Sequence, residues 1–271
     1  MKKLKLVLGI ALAFLLLTSG KSSKPHKTSP PGTVWLKDMV YIDCAPISNK
    51  AYLEFLSFSK TANWEKCFSD DNAIPQFGLT WDSLSKMLHY CPSDAKFLKR
   101  FEPADSVIEI YSKDMKNKTV VNPFRHKEYY DHPIVNISYE QAVKFCEWRS
   151  KMVAYNMAIE CKTAADREKK HYKKIKFRLP TKEEWEFAVK NFTKIKNPKR
   201  KEFVEGQPMT LKTELTSKFK LNPFSIAEML NEKGKCEGLS YKDVTLTDIY
   251  TTQSYFGTQP WVGFRCVCDV E

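Results

Sequence analysis

The stretch Arg178-Leu179-Pro180-Thr181-Lys182-Glu183-Glu184-Trp185-Glu186 decides the reading of the fold. Thr181 and Glu184 have the T-x-x-E spacing of a capping box, in which a hydroxyl and a carboxylate satisfy the free N–H groups of a helix start. The helix they open places Trp185, Ala188 and Val189 inward. Upstream, Val135-Asn136-Ile137 leads into Ser138-Tyr139-Glu140-Gln141, a second capping box of the S-x-x-Q kind. Tyr139, Ala142, Phe145, Cys146, Trp148, Arg149 and Met152 continue at helical spacing, so Cys146 is expected on a mostly buried face. A basic helical insertion over about 155–174 separates the two motifs.

Farther out the pattern weakens. Val34–Ile42, rich in β-branched and aromatic residues, reads as a strand. Ser48 can cap a helix carrying Ala51, Tyr52, Phe55 and Leu56 on one face. Residues 60–80 read as loop, Trp81–Tyr90 as a short helix, and the segment from there to Asp131 has little pattern. Residues 190–220 read as loops and short strands, and Gly263–Val267 as a closing strand. Both ends of the domain are thus strands able to pair, in an α+β chain with much irregular structure and no internal repeat.

Composition bounds the rest. A chain of 271 residues with 42% hydrophobic and 13% aromatic content can support a core, which excludes wholesale disorder. Only 9 glycines exclude a collagen-like chain, and the absence of a 20-residue apolar run excludes a polytopic membrane protein. Lys2, Lys3 and Lys5 precede an apolar run from Leu6 to Leu17, and Thr18-Ser19-Gly20 supplies small residues for cleavage. Residues 1–20 therefore read as a signal peptide, 21–32 as a disordered polar linker and 33–271 as one domain. Lys21 stands where a lipoprotein signal would carry Cys, so lipid attachment is not expected. An exported protein, periplasmic or cell-surface, is the expectation, membrane-associated only through partners or an uncleaved leader. Net charge is 44 − 32 = +12, or 41 − 32 = +9 without the three leader lysines. Its basic runs, Lys162–Arg178 and Lys190–Lys201, read as a solvated helix face and a surface loop rather than a nucleic-acid interface. Eight cysteines in an oxidising compartment read as disulfides of open connectivity. No C-x-x-C pair points to structural zinc.

His132-Pro133-Ile134-Val135-Asn136-Ile137-Ser138, Phe145-Cys146-Glu147-Trp148, the Arg178–Glu186 stretch and Gly263-Phe264-Arg265-Cys266 occur in this order. As an ordered series they resemble the sulfatase-modifying factor, or formylglycine-generating enzyme, superfamily. The resemblance covers residues 33–271, weakly over 57–130, and implies a C-type-lectin-like α+β domain. It also implies a disulfide between Cys146 and Cys266, worth about 4 kcal/mol on a loop-entropy model.

Enzymes of that family oxidise a sulfatase cysteine with a copper(I) ion held by two thiolates that follow a Gly-Gly-Ser-aromatic element. Its counterpart here is Gly238-Leu239-Ser240-Tyr241, which puts the thiolate positions on Asp243 and Asp248. Carboxylates are hard ligands and do not replace thiolates on copper(I). Oxidase activity is therefore not expected, and no cofactor is. A Gly-Asn-x-x-Glu element of the family binds calcium; here Phe224 and Ser225 replace its first two residues while Glu228 remains. A structural, hydrogen-bonding role is expected for Glu228. His132 belongs to a scaffold motif, and an acid–base pairing of Asp243 with Asp248 is disfavoured against an exposed loop.

These departures point to a non-catalytic binding or structural component of the bacterial cell envelope with a protein partner. Ala227-Glu228-Met229, Glu232-Lys233-Gly234 and Ser138–Ala142 look most like the gliding-motility and type IX secretion lipoproteins. Tyr250, Tyr255, Phe256 and Trp261 are candidates for a partner surface or, equally, for core packing. The alternatives are an oxidase of the formylglycine type, or a related metal-dependent oxygenase, and a lectin-like binder of glycans.

Overall fold

A computed structural model of the chain describes residues 27–68, 80–103, 108–111, 118–195, 218–243, 246 and 248–271. The leader read over 1–20 and most of the 190–220 segment lie outside them. Among the described residues no helix is long and apolar enough to cross a membrane.

The run read as a single strand is a hairpin. β1 (Thr33–Lys37) and β2 (Val40–Asp43) pair antiparallel, and Asp38 turns the chain at φ +44°. Aspartate tolerates this left-handed conformation better than most residues. The Trp35 indole N–H donates to the Asp38 carbonyl at 3.0 Å, closing the turn. The polar segment before it was read as a disordered linker, yet Pro30 is buried. Main-chain carbonyls seat this segment: Pro31 accepts from Arg149 Nη2 at 2.9 Å and Gly32 from the Cys44 N–H at 2.9 Å.

Four helices follow: α1 (Asn49–Thr61), α2 (Trp64–Cys67), α3 (Trp81–His89) and α4 (Ala95–Lys99). Ser48 caps α1 as expected, accepting from the Ala51 N–H at 3.2 Å. The segment read as loop over 60–80 includes α2, which Asn63 caps and buried Trp64 anchors. A hairpin of β3 (Ile108–Tyr111) and β4 (Lys118–Val121) occupies the weakly patterned region. Both capping boxes form, opening α5 (Tyr139–Glu160) and, after α6 (Ala164–Lys170) and β5 (Ile175–Arg178), α7 (Lys182–Phe192). The basic segment is less solvated than expected, because Arg167 and His171 are buried.

β10 (Val267–Val270) inserts between β2 and β5, giving an antiparallel sheet of order β1-β2-β10-β5. The two ends of the domain thus pair, as expected. Strand side chains alternate between faces. Leu36, Ile42 and Val267 pack with Trp185, Ala188 and Val189 of α7. Tyr41, Phe177, Cys268 and Val270 pack on the other side with Tyr52, Phe55 and Phe145 of α1 and α5. On the β5 edge, Ser150 of α5 accepts the Phe177 N–H at 2.8 Å and donates to the Cys146 carbonyl at 2.8 Å. The helix thereby covers an N–H that would otherwise be open at the edge.

A smaller sheet has the order β8-β7-β6-β9, formed by Gln253–Ser254, Lys235–Glu237, Ala227–Met229 and Val262–Gly263 respectively. β6 and β9 are parallel and the other pairs antiparallel. A Cβ at Gly263 would lie 2.5 Å from Ile226 Cδ1 and 2.6 Å from the Ile134 carbonyl, so the position admits only glycine. The expected strand Gly263–Val267 is interrupted. Phe264-Arg265-Cys266 crosses from the small sheet to the large one, its Phe264 carbonyl accepting from the Ile47 N–H at 2.8 Å. This crossing brings Arg265 and Cys266 into the interior.

Candidate functional site

The Arg178–Glu184 motif is structural. Arg178 grips Glu184 with two bonds of 2.8 Å and Asp269 with bonds of 2.7 and 2.8 Å, joining β5, α7 and β10. Glu184 Oε2 also accepts the Thr181 N–H at 2.8 Å. Burial alone would raise the Glu184 carboxyl's pKa; Arg178 and this N–H outweigh it and hold the group below its usual range.

Glu228 on β6 and Arg265 on the crossing segment form a second structural clamp. Arg265 Nε and Nη2 reach the two carboxylate oxygens at 2.5 and 2.6 Å, and Trp185 Nε1 donates to Oε2 at 2.8 Å. Arg265 also donates to the Asp43 and Lys220 carbonyls, each at 3.1 Å, and stacks 4.3 Å from the Phe219 ring centroid. Both oxygens of Glu228 are engaged by cationic or indole donors, and the paired Arg265 guanidinium repels a hard cation at the same carboxylate. Ser225 is buried and bridges to Ser240 through its backbone. Phe224 stands at φ +65°, a left-handed conformation that glycine adopts without strain. The residues where the resemblance places calcium therefore do not fit the ion.

Asp43 holds the crossing segment. Its Oδ2 accepts from Arg149 Nη1 at 2.8 Å and from the Cys266 N–H at 2.8 Å, while its own N–H donates to the Cys266 carbonyl at 2.9 Å. Cys146 Sγ and Cys266 Sγ come to 3.4 Å, both buried, in non-bonded contact. Burial pushes the Cys266 thiol well up, and the adjoining Cys146 adds to it.

Of the two positions where the resemblance places the copper thiolates, Asp248 is exposed as expected and Asp243 is not. Asp243 is buried, 7% exposed, and not part of an open loop. Its Oδ2 accepts from the Ser240 N–H at 2.6 Å, Ser240 Oγ at 2.8 Å and Gln253 Nε2 at 3.0 Å. Asp248 is exposed and closes its own turn, accepting from the Tyr250 N–H at 3.0 Å. Each carboxylate serves a separate local turn, so the donor set fits neither copper(I) nor an acid–base couple. Among the described residues, no group of three or more His, Cys, Asp or Glu side chains is placed to hold a metal. Cys236, next along β7, is fully buried, and burial with the Glu237 and Asp243 carboxylates pushes its thiol up to about 12. Gly238, at φ +93°, lets the following turn pass against Trp185, whose ring a Cβ would meet at 3.2 Å.

Sequence reasoning gave no role to Glu237, which is fully buried beside this turn. Thr252 Oγ1 donates to its Oε1, and Lys182 Nζ lies 3.7 Å away. Burial raises its carboxyl above the ordinary range more strongly than Thr252 and Lys182 lower it. A raised folded-state pKa contributes stability that is complete below the unfolded value and is lost as pH rises through the folded value. Urea unfolding from pH 4 to pH 8 is therefore expected to show wild type losing stability relative to Glu237→Gln, because the amide cannot take up charge.

Of the two readings of the four aromatic residues, core packing describes most of them. Trp261 is buried, Tyr255 and Tyr250 are half-buried, and Phe256 alone of the four is exposed. The main chain of His132, read as scaffold, accepts the Asn49 N–H at 2.8 Å at the start of α1.

The fold and these clamps define an α+β domain whose sequence motifs form its frame. A family model for the sulfatase-modifying factor enzyme 1-like domain matches residues 13–216. The chain belongs to this family, whose domain is C-type-lectin-like. The matched region begins within the segment read as leader and ends before β6, whereas β6–β10 are integral to the folded body. No curated protein matches the chain.

Proposed function

We propose that this chain is a member of the family without its copper oxidase chemistry, exported and acting as a binding or structural component of a bacterial cell envelope. The observation that carries the reading is the commitment of Asp243 Oδ2 to Ser240 and Gln253. A carboxylate that closes a turn with three donors is part of the frame, and an oxygen there lacks the softness that copper(I) requires. The role as an envelope component, in the manner of the gliding-motility and type IX secretion lipoproteins, rests on the Ala227–Met229 and Ser138–Ala142 segments.

Purified protein incubated with copper(I) and desalted is expected to retain no stoichiometric copper. It is also expected to leave a sulfatase-derived cysteine peptide unoxidised in the presence of oxygen. Bound copper at one equivalent, or formylglycine in the peptide, overturns the non-catalytic reading. Affinity purification from the native envelope is expected to enrich a defined protein partner.

A further inference from the structure

Cys146 and Cys266 account for two of the eight cysteines. Cys44, Cys161, Cys236 and Cys268 are also buried, while Cys67 and Cys91 are partly exposed. Cys67 ends α2, and Cys91 follows α3 within two residues. The backbone brings them together from one side: the Asn63 N–H donates to the Cys91 carbonyl at 2.7 Å, and Ala62 bridges to Pro92. The Cys67 N–H in turn donates to the Asn63 carbonyl at 3.1 Å. Residues four apart share a helix face, so the Cys67 side chain lies above the point where Cys91 is tied down. These ties set the two thiols beside each other, and burial together with the Cys91 neighbour raises the Cys67 thiol.

We propose that Cys67 and Cys91 form a second disulfide, one that opens and closes while the protein stays folded. The chemistry is thiol–disulfide exchange with a small-molecule disulfide as oxidant. One thiol loses its proton and attacks the oxidant, forming a mixed disulfide and releasing one small thiolate. The other cysteine, as thiolate, then displaces the second small thiolate and the intramolecular S–S bond forms. Two protein thiols are oxidised, the oxidant is reduced to two small thiols, and the two protons end on these. The bond fastens the C-terminal end of α3 to α2, whose Trp64 is embedded in the core. Cys146 and Cys266 lack this access because both are buried, so their exchange requires a much larger opening.

The test uses the full chain, equilibrated natively with oxidised glutathione, quenched by alkylation and mapped by mass spectrometry without reduction. A peptide linking Cys67 to Cys91 is expected. When a mild dithiol is then added without denaturant, Cys67 and Cys91 are expected to become alkylated at least about tenfold faster than Cys146 and Cys266. A Cys67→Ser/Cys91→Ser variant, folded as judged by its unfolding transition, is expected to lose the fast-labelling class. Alkylated Cys67 and Cys91 after glutathione treatment overturn the proposal. Linkage of either to a different cysteine, or opening that requires denaturant, overturns it as well.

Discussion

Arg265→Met is expected to remove about 3–5 kcal/mol of stability, the cost of leaving a buried carboxylate without its cation. Arg265 has no exposed surface and Glu228 is 1% exposed, so water does not replace the lost donors. Methionine fills much of the volume and keeps the contact with Phe219, which confines the effect to charge and hydrogen bonding. Urea unfolding at neutral pH measures the loss. In Glu228→Gln/Arg265→Met no net charge remains buried, and the double variant is expected to lose less than the sum of the two singles. Additive losses would show that Glu228 and Arg265 act independently, which their bidentate contact at 2.5 and 2.6 Å does not allow.

The second large effect concerns Cys146 and Cys266. In a Cys67→Ser/Cys91→Ser background, the oxidised protein is expected to be about 4–5 kcal/mol more stable than the reduced protein, on the loop-entropy model. The loop closed spans 120 residues. Asp43 already fixes the Cys266 backbone through its N–H and its carbonyl, and α5 fixes Cys146, so the fold holds both ends before the bond forms. Adding Cys146→Ala to this background is expected to abolish the difference between oxidising and reducing conditions. Guanidinium unfolding of both proteins under the two conditions gives the comparison.

How much the sequence revealed depended on the range of the interaction. Ser48, Ser138 and Thr181 cap helices through atoms three residues away, so their roles are legible from spacing. The strand ends pair because their apolar alternation demands a covered face on each side. The Asp38 turn was hidden because neither Gly nor Pro marks it, and only its φ distinguishes it from strand. Asp243 looked exposed because its sequence neighbours are polar, whereas it is buried in the fold with Gln253 of β8 donating to it across the turn. Glu237 carried no local signal at all, since Thr252 and Lys182 approach it from other elements. The Cys67–Cys91 contact likewise requires the relative placement of α2 and α3, which no spacing rule encodes.

The position of β10 has a consequence for biosynthesis. It is the last of the four large-sheet strands to be made, yet it lies inside that sheet, touching both the earliest hairpin and β5. A chain still threaded through the ribosomal tunnel therefore holds an unfinished sheet, with β2 and β5 unjoined until residue 270 emerges. Closure of the large sheet is therefore a late event in the making of this domain, since its central pairing waits on its last strand.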